Sequence, residues 1–277
     1  MKNIRLSIVD SFTDRSYGGN PAVVCLLEED LLVDQMLKIA SEFGLSETAF
    51  VRKSQDVEYN IRFFSPKKEI PLCGHATLAA AKVLFQNNSL LEAVHFITSE
   101  GIELQALKDG NTIEMNLPRY TVKEVRVRKS LLEALMLESI LFSGINLEMK
   151  MILLEIDNSN FLKRLKPDFE SLIKSYSPEE INGVVVTAKS NKKGFDFESR
   201  YFWPWSGTNE DPVTGATHTF LADYWGAKLQ KKKLRAYQCS ERGGYMEVQL
   251  HDRKVTLKSE ATIVLKGNLL EIPMANE

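Results

Sequence analysis

The sequence predicts an α+β fold of two pseudo-symmetric lobes, each a curved, mostly antiparallel sheet wrapped around one central helix. Three observations carry that expectation. The stretch Glu69 to Phe85, EIPLCGHATLAAAKVLF, returns in altered form as Glu210 to Trp225, EDPVTGATHTFLADYW, and Pro71 to Pro212, Gly74 to Gly215 and Ser99 to Ser240 are each separated by 141 residues. A chance match rarely holds register that far. Runs of β-branched and aromatic residues bounded by turn residues also outnumber helical stretches. Finally, Ala76, Leu78, Ala79, Ala80, Ala81, Val83, Leu84 and Phe85 leave almost no polar face on the helix they form. Such a helix must be buried, with a sheet curled around it.

In chain order, Ile4 to Val9 and Ala22 to Leu27 read as strands joined by a loop containing Gly18, Gly19, Asn20 and Pro21. Leu32, Met36, Ile39, Ala40 and Phe43 keep helical spacing within Leu31 to Phe43, and Gly44 is a natural stop. Strands at Ala49 to Arg52 and Tyr59 to Phe64 lead to the first motif and its helix. Three strands follow, Val94 to Thr98, Ile102 to Leu107 and Thr112 to Asn116, the last two joined by a turn at Lys108 to Asn111.

Arg119 to Lys129 is charged and extended, and marks a crossing into the second half. There the pattern gives a helix at Leu131 to Leu141, a strand at Met151 to Ile156, a helix near Phe169 to Tyr176 and a strand at Gly183 to Ala188. After the second motif come strands at Leu234 to Cys239, Tyr245 to Leu250 and Lys254 to Lys258. The tail, Ala261 to Pro273, reads as two short apolar runs around a Gly267-Asn268 hairpin turn. The expected lobes are therefore residues 1–118 and 119–261, with 262–277 a candidate to join the first.

Composition limits the function. A chain of 277 residues, 44% apolar and 26% charged, is a globular protein long enough for two lobes. A net charge near −2 offers neither a basic face for nucleic acid nor a polybasic membrane anchor, which leaves a small molecule as the expected partner. The opening MKNIRLSIVDSF, with Arg5 inside a brief apolar run, is neither a secretory signal nor a span. Cys25, Cys73 and Cys239 are odd in number and lack metal-ligand spacing, so the expectation is a cytosolic protein without a disulfide framework or a metal.

The repeated loop delivers chemistry to a helix start. The first turn of a helix carries unpaired amides and a partial positive charge, and so attracts anions. A glycine there lets a ligand approach the backbone, and two such starts would cradle a carboxylate.

Five blocks then carry a family resemblance: Gly19-Asn20-Pro21-Ala22, Ser46-Glu47-Thr48, Leu72 to Thr77, Glu210 to Gly215, and Gln238 to Gly244. In this order, over nearly the whole chain, they resemble the signatures of the PhzF family of phenazine biosynthesis-like isomerases, with wording closest to the eukaryotic branch. The resemblance implies a diaminopimelate epimerase-like fold with its site between the lobes, an isomerase needing no cofactor, and a homodimer. It places the catalytic acid/base on Glu47. It also puts His75 and Asp211 in the pocket, where they bind the substrate's polar groups.

The paired helix starts add a carboxylate cradle from the amides of Gly74, His75, Gly215 and Ala216. Asn20 and Cys73 are further candidates for the pocket. Burial is expected to push the Glu47 carboxyl upward.

Two departures shape the alternatives. Related epimerases oppose two cysteines, but here Cys73 faces Thr214 in the repeat, and a hydroxyl is too weak an acid or base for that exchange. A thiol-dependent racemase using Cys73 is thus the weaker alternative. The family's Thr-Gly-Ser-Ala is Thr214-Gly215-Ala216-Thr217 here, so a serine hydroxyl is missing, with Thr217 the candidate to replace it. A binding or regulatory protein that keeps the scaffold without turnover is the alternative from outside enzymology.

Overall fold

The computed structural model describes residues 4–274. The chain divides into two compact units, one formed by Met1–Asn116 with Lys258–Glu277 and the other by Leu117–Leu257.

In the first unit, β1 (Ile4–Ser11) and β2 (Asn20–Leu27) form the expected antiparallel hairpin. Helix α1 (Val33–Phe43) ends at Gly44, whose left-handed backbone closes it, and connects β2 in parallel to β3 (Glu47–Lys53). Strand β4 (Glu58–Phe64) and the short β5 (Glu69–Ile70) precede α2 (Gly74–Asn87). Helix α2 is the crossover that makes β4 parallel to β6 (Ala93–Thr98), after which β7 (Glu103–Asp109) and β8 (Thr112–Pro118) run antiparallel.

Helix α2 is buried from His75 to Ala81 and again from Val83 to Phe85. It touches β1, β2, β3, β7 and the tail strand. One helix reaches strands that far apart in the sheet only if the sheet curls around it. Each large apolar side chain on it contributes roughly 1.5–3 kcal/mol by leaving water. The opposite face of the sheet packs Val23, Cys25 and Phe50 against Met36, Ile39 and Ala40 of α1.

The second unit repeats this plan with more helix on its outer face. It contains β9 (Lys123–Glu124), α3 (Lys129–Ala134), β10 (Phe142–Asn146), β11 (Met151–Glu155), α4 (Ser159–Arg164) and α5 (Phe169–Ser175). Then come β12 (Gly183–Lys189), β13 (Phe197–Trp203), β14 (Thr208–Asp211), α6 (His218–Leu229), β15 (Lys233–Gln238), β16 (Gly244–Leu250) and β17 (Lys254–Ser259). Strands β11 and β12 are parallel, as are β13 and β15, the second pair joined through α6. Val184, Val186 and Phe202 pack with Leu131, Leu162 and Leu172 of α3 to α5. On the other face Phe197 stacks on Trp225 of α6 at 5.6 Å, and the Trp225 indole N–H donates to Thr187 Oγ1 at 3.0 Å.

The structure corrects three local expectations. The helix expected over Leu131 to Leu141 stops at Ala134, because Met136 adopts φ 55° and breaks the spiral, and the chain then forms β10. Leu131, Leu135 and Leu137 are buried around that break, so apolar residues alone imitated a longer helix. The Gly267-Asn268 hairpin does not form either: Ala261–Leu269 is one strand, and Gly267 and Asn268 lie opposite Leu6 and Arg5 of β1. Pairing along the whole of β1 outweighs a local turn preference.

The third correction concerns the repeat. Gly74 is the first residue of α2, whereas α6 starts at His218, preceded by a tight turn in which His218 N–H bonds to Gly215 O (3.0 Å) and Thr219 N–H to Ala216 O (3.1 Å). Helix α4, unexpected from the sequence, is started by Asn158, whose side chain accepts from the amides of Asn160 and Phe161.

Candidate active site

In the first unit the fold gathers Glu47, Cys73, Gly74, His75 and Asn20. Glu47 opens β3 and lies opposite Ala22 of β2, one residue beyond Asn20-Pro21. Cys73 is the N-cap of α2, and His75 sits in its first turn. Gly19 makes the turn into β2 possible. Its φ is +59°, and a Cβ there would lie 2.0 Å from Ser11 O. This close approach sets Asn20 opposite Ser11, and both reach His75: the Ser11 hydroxyl donates to His75 O at 2.7 Å, and Asn20 Nδ2 lies 3.4 Å from His75 Nδ1.

The imidazole is shared between two groups. Glu47 Oε2 is 3.1 Å from Nε2, with the Ser46 hydroxyl 3.4 Å from the same atom. Cys73 Sγ is 3.4 Å from Nδ1. Glu47, Cys73 and His75 are 7–8% exposed. A Cβ added to Gly74 would meet no atom within 4 Å, so the backbone at the start of α2 is open to a ligand.

Burial does push the Glu47 carboxyl upward, but the hydrogen bond and charge of His75, with the Ser46 hydroxyl, outweigh it and hold Glu47 below its ordinary value. The expected net rise is therefore overturned. Burial opposes a charge on His75 too, yet Cys73 on one nitrogen and Glu47 on the other hold it well above its ordinary value. Burial pushes the Cys73 thiol up, while the contact with His75 works in the opposite direction. Glu47 and His75 stand at ion-pair distance, 3.1 Å.

Glu47, Cys73 and His75 also offer ligand atoms within 4.8 Å of one another, a donor set that zinc accepts. Glu47 and Cys73 occupy opposite nitrogens of one ring, however, so gathering all three on a single ion would break one of those contacts. The arrangement suits proton transfer better than metal ligation.

In the second unit Asp211, Gly215, Ala216 and Thr217 belong to one tight loop. The Thr214 hydroxyl donates to Asp211 Oδ2. Gln238 clips the loop from β15: Oε1 accepts from Thr214 N–H at 2.9 Å, and Nε2 donates to Asp211 O at 2.7 Å. The Ser240 hydroxyl donates to Pro212 O at 2.6 Å. These clips explain the Gln238 to Gly244 block, whose holding role the sequence reading missed.

Thr217 is fully buried and its hydroxyl donates to Thr214 O at 2.9 Å, so it is committed to the turn and does not take the place of the missing serine. His218 Nδ1 contacts Thr214 O at 2.8 Å. Burial pushes His218 down to about 4, so it is neutral at ordinary pH.

A matched ion pair anchors each loop. Arg62 holds Glu69 through two bonds of 2.8 and 2.6 Å, and Arg200 holds Glu210 through two of 2.7 Å. Such two-pronged pairs fix orientation as well as distance.

The fold is an epimerase-like scaffold that carries an acid–imidazole pair at one helix start. Residues 9–267 match the PhzC-PhzF family, described as phenazine biosynthesis-like protein, and the chain belongs to that family. It is 40% identical to the human phenazine biosynthesis-like domain-containing protein, over 95% of this chain and 97% of that one. It is 39% identical to a Halalkalibacterium halodurans protein named an uncharacterized isomerase, over 98% of this chain and 100% of that one. The crystal structure of a PhzF family protein from Enterococcus faecalis matches 97% of this chain and 100% of its own, with 33% identity and a TM-score of 0.90.

Proposed function

We propose that this chain is an isomerase that moves a proton within a small carboxylate substrate, with Glu47 as the acid/base. The observation that carries the reading is the buried Glu47–His75 pair at the open start of α2. A carboxylate kept ionised by an imidazolium is ready to remove a proton from a carbon made acidic by a neighbouring carboxylate. The resulting carboxyl then returns the proton to another carbon, and the double bond moves. Such acid/base work contributes on the order of 10²–10⁴-fold in rate.

The amides of Gly74 and His75, left without intrahelical partners by the helix start, hold the substrate carboxylate. His75 keeps Glu47 charged and orients it. Asp211, fixed by Thr214 and Gln238, binds polar groups of the substrate. The names of the relatives support the reaction class.

Two other readings are weaker. A racemase with two opposed proton carriers needs a partner for Cys73, and Thr214 instead donates its hydroxyl to Asp211. A binding protein without turnover is favoured only by Ala216 and by the commitment of Thr217 to its turn.

The test is proton NMR of a panel of small unsaturated and 2-substituted carboxylates incubated with the protein in D₂O. Deuterium should enter at carbon with the wild type and fall sharply with Glu47→Gln. Full exchange by Glu47→Gln would overturn the role of Glu47, and silence across the panel would favour the binding reading.

A further inference from the structure

We propose that Cys73 is a second reactive group of this site: a nucleophile that adds to carbon–carbon double bonds conjugated to a carboxylate or ester, with His75 and Glu47 as its proton relay. The acid/base reading above makes no use of the sulfur. Its surroundings nevertheless form a nucleophile, base and orienting acid in series: Cys73 Sγ to His75 Nδ1 at 3.4 Å, then His75 Nε2 to Glu47 Oε2 at 3.1 Å.

The other two cysteines show what an inert thiol looks like in this protein. Cys25 is fully buried in the apolar cluster beneath α1. Cys239 is bonded to Ser199 O at 3.5 Å, and no imidazole contacts either thiol among the described residues. Cys73 differs from both, because it is the N-cap of α2 and its sulfur lies 3.4 Å from an imidazole nitrogen. The start of a helix steadies a thiolate as it forms.

The site also specifies the electrophile. A carboxylate held by the first amides of α2 lies within one or two residues of Sγ in the chain, so an activated double bond attached to it comes next to the sulfur. The addition needs no redox partner. In the form with a neutral imidazole whose Nε2–H faces Glu47, Nδ1 takes the thiol proton, the thiolate sulfur forms a bond to one alkene carbon and the π pair moves to the other. That carbon then takes the proton back from the His75 imidazolium, so the net change is addition of S–H across C=C.

The inference shares residues with the isomerase reading but does not depend on turnover. Wild-type protein is incubated with monomethyl fumarate, an anionic activated alkene, and with iodoacetamide as an uncharged comparison. Intact mass and peptide mapping then give a rate for each cysteine.

Cys73 should form the fumarate adduct at least tenfold faster than Cys25 or Cys239, and His75→Gln should slow it at least tenfold while the iodoacetamide rates of Cys25 and Cys239 stay unchanged. Equal rates at the three cysteines, measured in the wild type without any variant, would overturn the proposal. So would an unchanged Cys73 rate in His75→Gln. Deuterium exchange without adduct sinks this inference alone, and adduct without exchange sinks only the isomerase reading.

Discussion

The loops that lead into α2 and α6 share their holding contacts and differ in their charge. In the first unit Thr77 Oγ1 donates to Cys73 O at 2.7 Å; 141 residues later His218 Nδ1 contacts Thr214 O at 2.8 Å. The two side chains are chemically unrelated, yet each ties the helix start to the residue before its glycine. The Arg62–Glu69 and Arg200–Glu210 pairs repeat as well. What does not repeat is the carboxylate–imidazole pair, which among the described residues only the first loop meets, through Glu47. A repeated fold thus keeps the contacts that fix backbone and lets those that carry protons diverge.

The sharpest way to break this comparison is to remove one acid from each half. Glu47→Gln should lower deuterium exchange by about 10²–10⁴-fold, since it removes the proton carrier. Asp211→Asn should cost about 10- to 100-fold, the scale of a hydrogen bond to a charged group. Equal losses would mean that the second loop shares the chemistry.

The two histidines should respond to pH in opposite senses. The folded value of His218 lies below its unfolded value, so its neutral form favours folding above pH 6.5, and about 3 kcal/mol is lost as pH falls from 6.5 to about 4. For His75 the folded value lies above the unfolded one, so its contribution is complete below pH 6.5 and is lost as pH rises through the folded value. Glu47 contributes above pH 4.5 and loses that as pH falls through its lowered value. Imidazole C–H shifts followed by NMR should show one ring still charged above pH 6.5 and one still neutral near pH 5. Two rings titrating together would contradict the contrast.

Gln238→Ala removes two clips on the second loop, those to Thr214 N–H and Asp211 O, for a loss of about 1–3 kcal/mol by thermal or urea unfolding. A loss near zero would mean that the loop holds itself. Ala216→Ser, which restores the hydroxyl usual in the family, should change the exchange rate by less than about tenfold, within the scale of one neutral hydrogen bond.

Much of this was legible in the sequence, for identifiable reasons. The 141-residue repeat and the apolar helix Ala76 to Phe85 announce two halves with buried helices, because nothing else accommodates a helix without a polar face. Strand boundaries followed where alternation and turn residues agreed, as at β4 and β6. They failed where one signal stood alone: apolar density around Leu135 imitated a longer helix, and Gly267-Asn268 imitated a turn.

The grouping of Glu47 with His75 was implied by family resemblance, since 27 residues of intervening chain conceal the contact. The direction of the Glu47 shift was not legible at all. It depends on which of two opposed effects is larger, and that is decided by a 3.1 Å distance.

The strand Ala261–Leu269 pairs with β1 along its length, from Ser11 opposite Ala261 to Ile4 opposite Leu269. Synthesis makes β1 before its partner, so the half that holds Glu47 and His75 lacks this pairing until Leu269 has been made. The other half, drawn from Leu117–Leu257, has its whole length available sooner. A stop codon at Ala261 should therefore harm the half made before Leu117, and a nascent chain stalled there would expose an unpaired edge of β1 to neighbouring polypeptides.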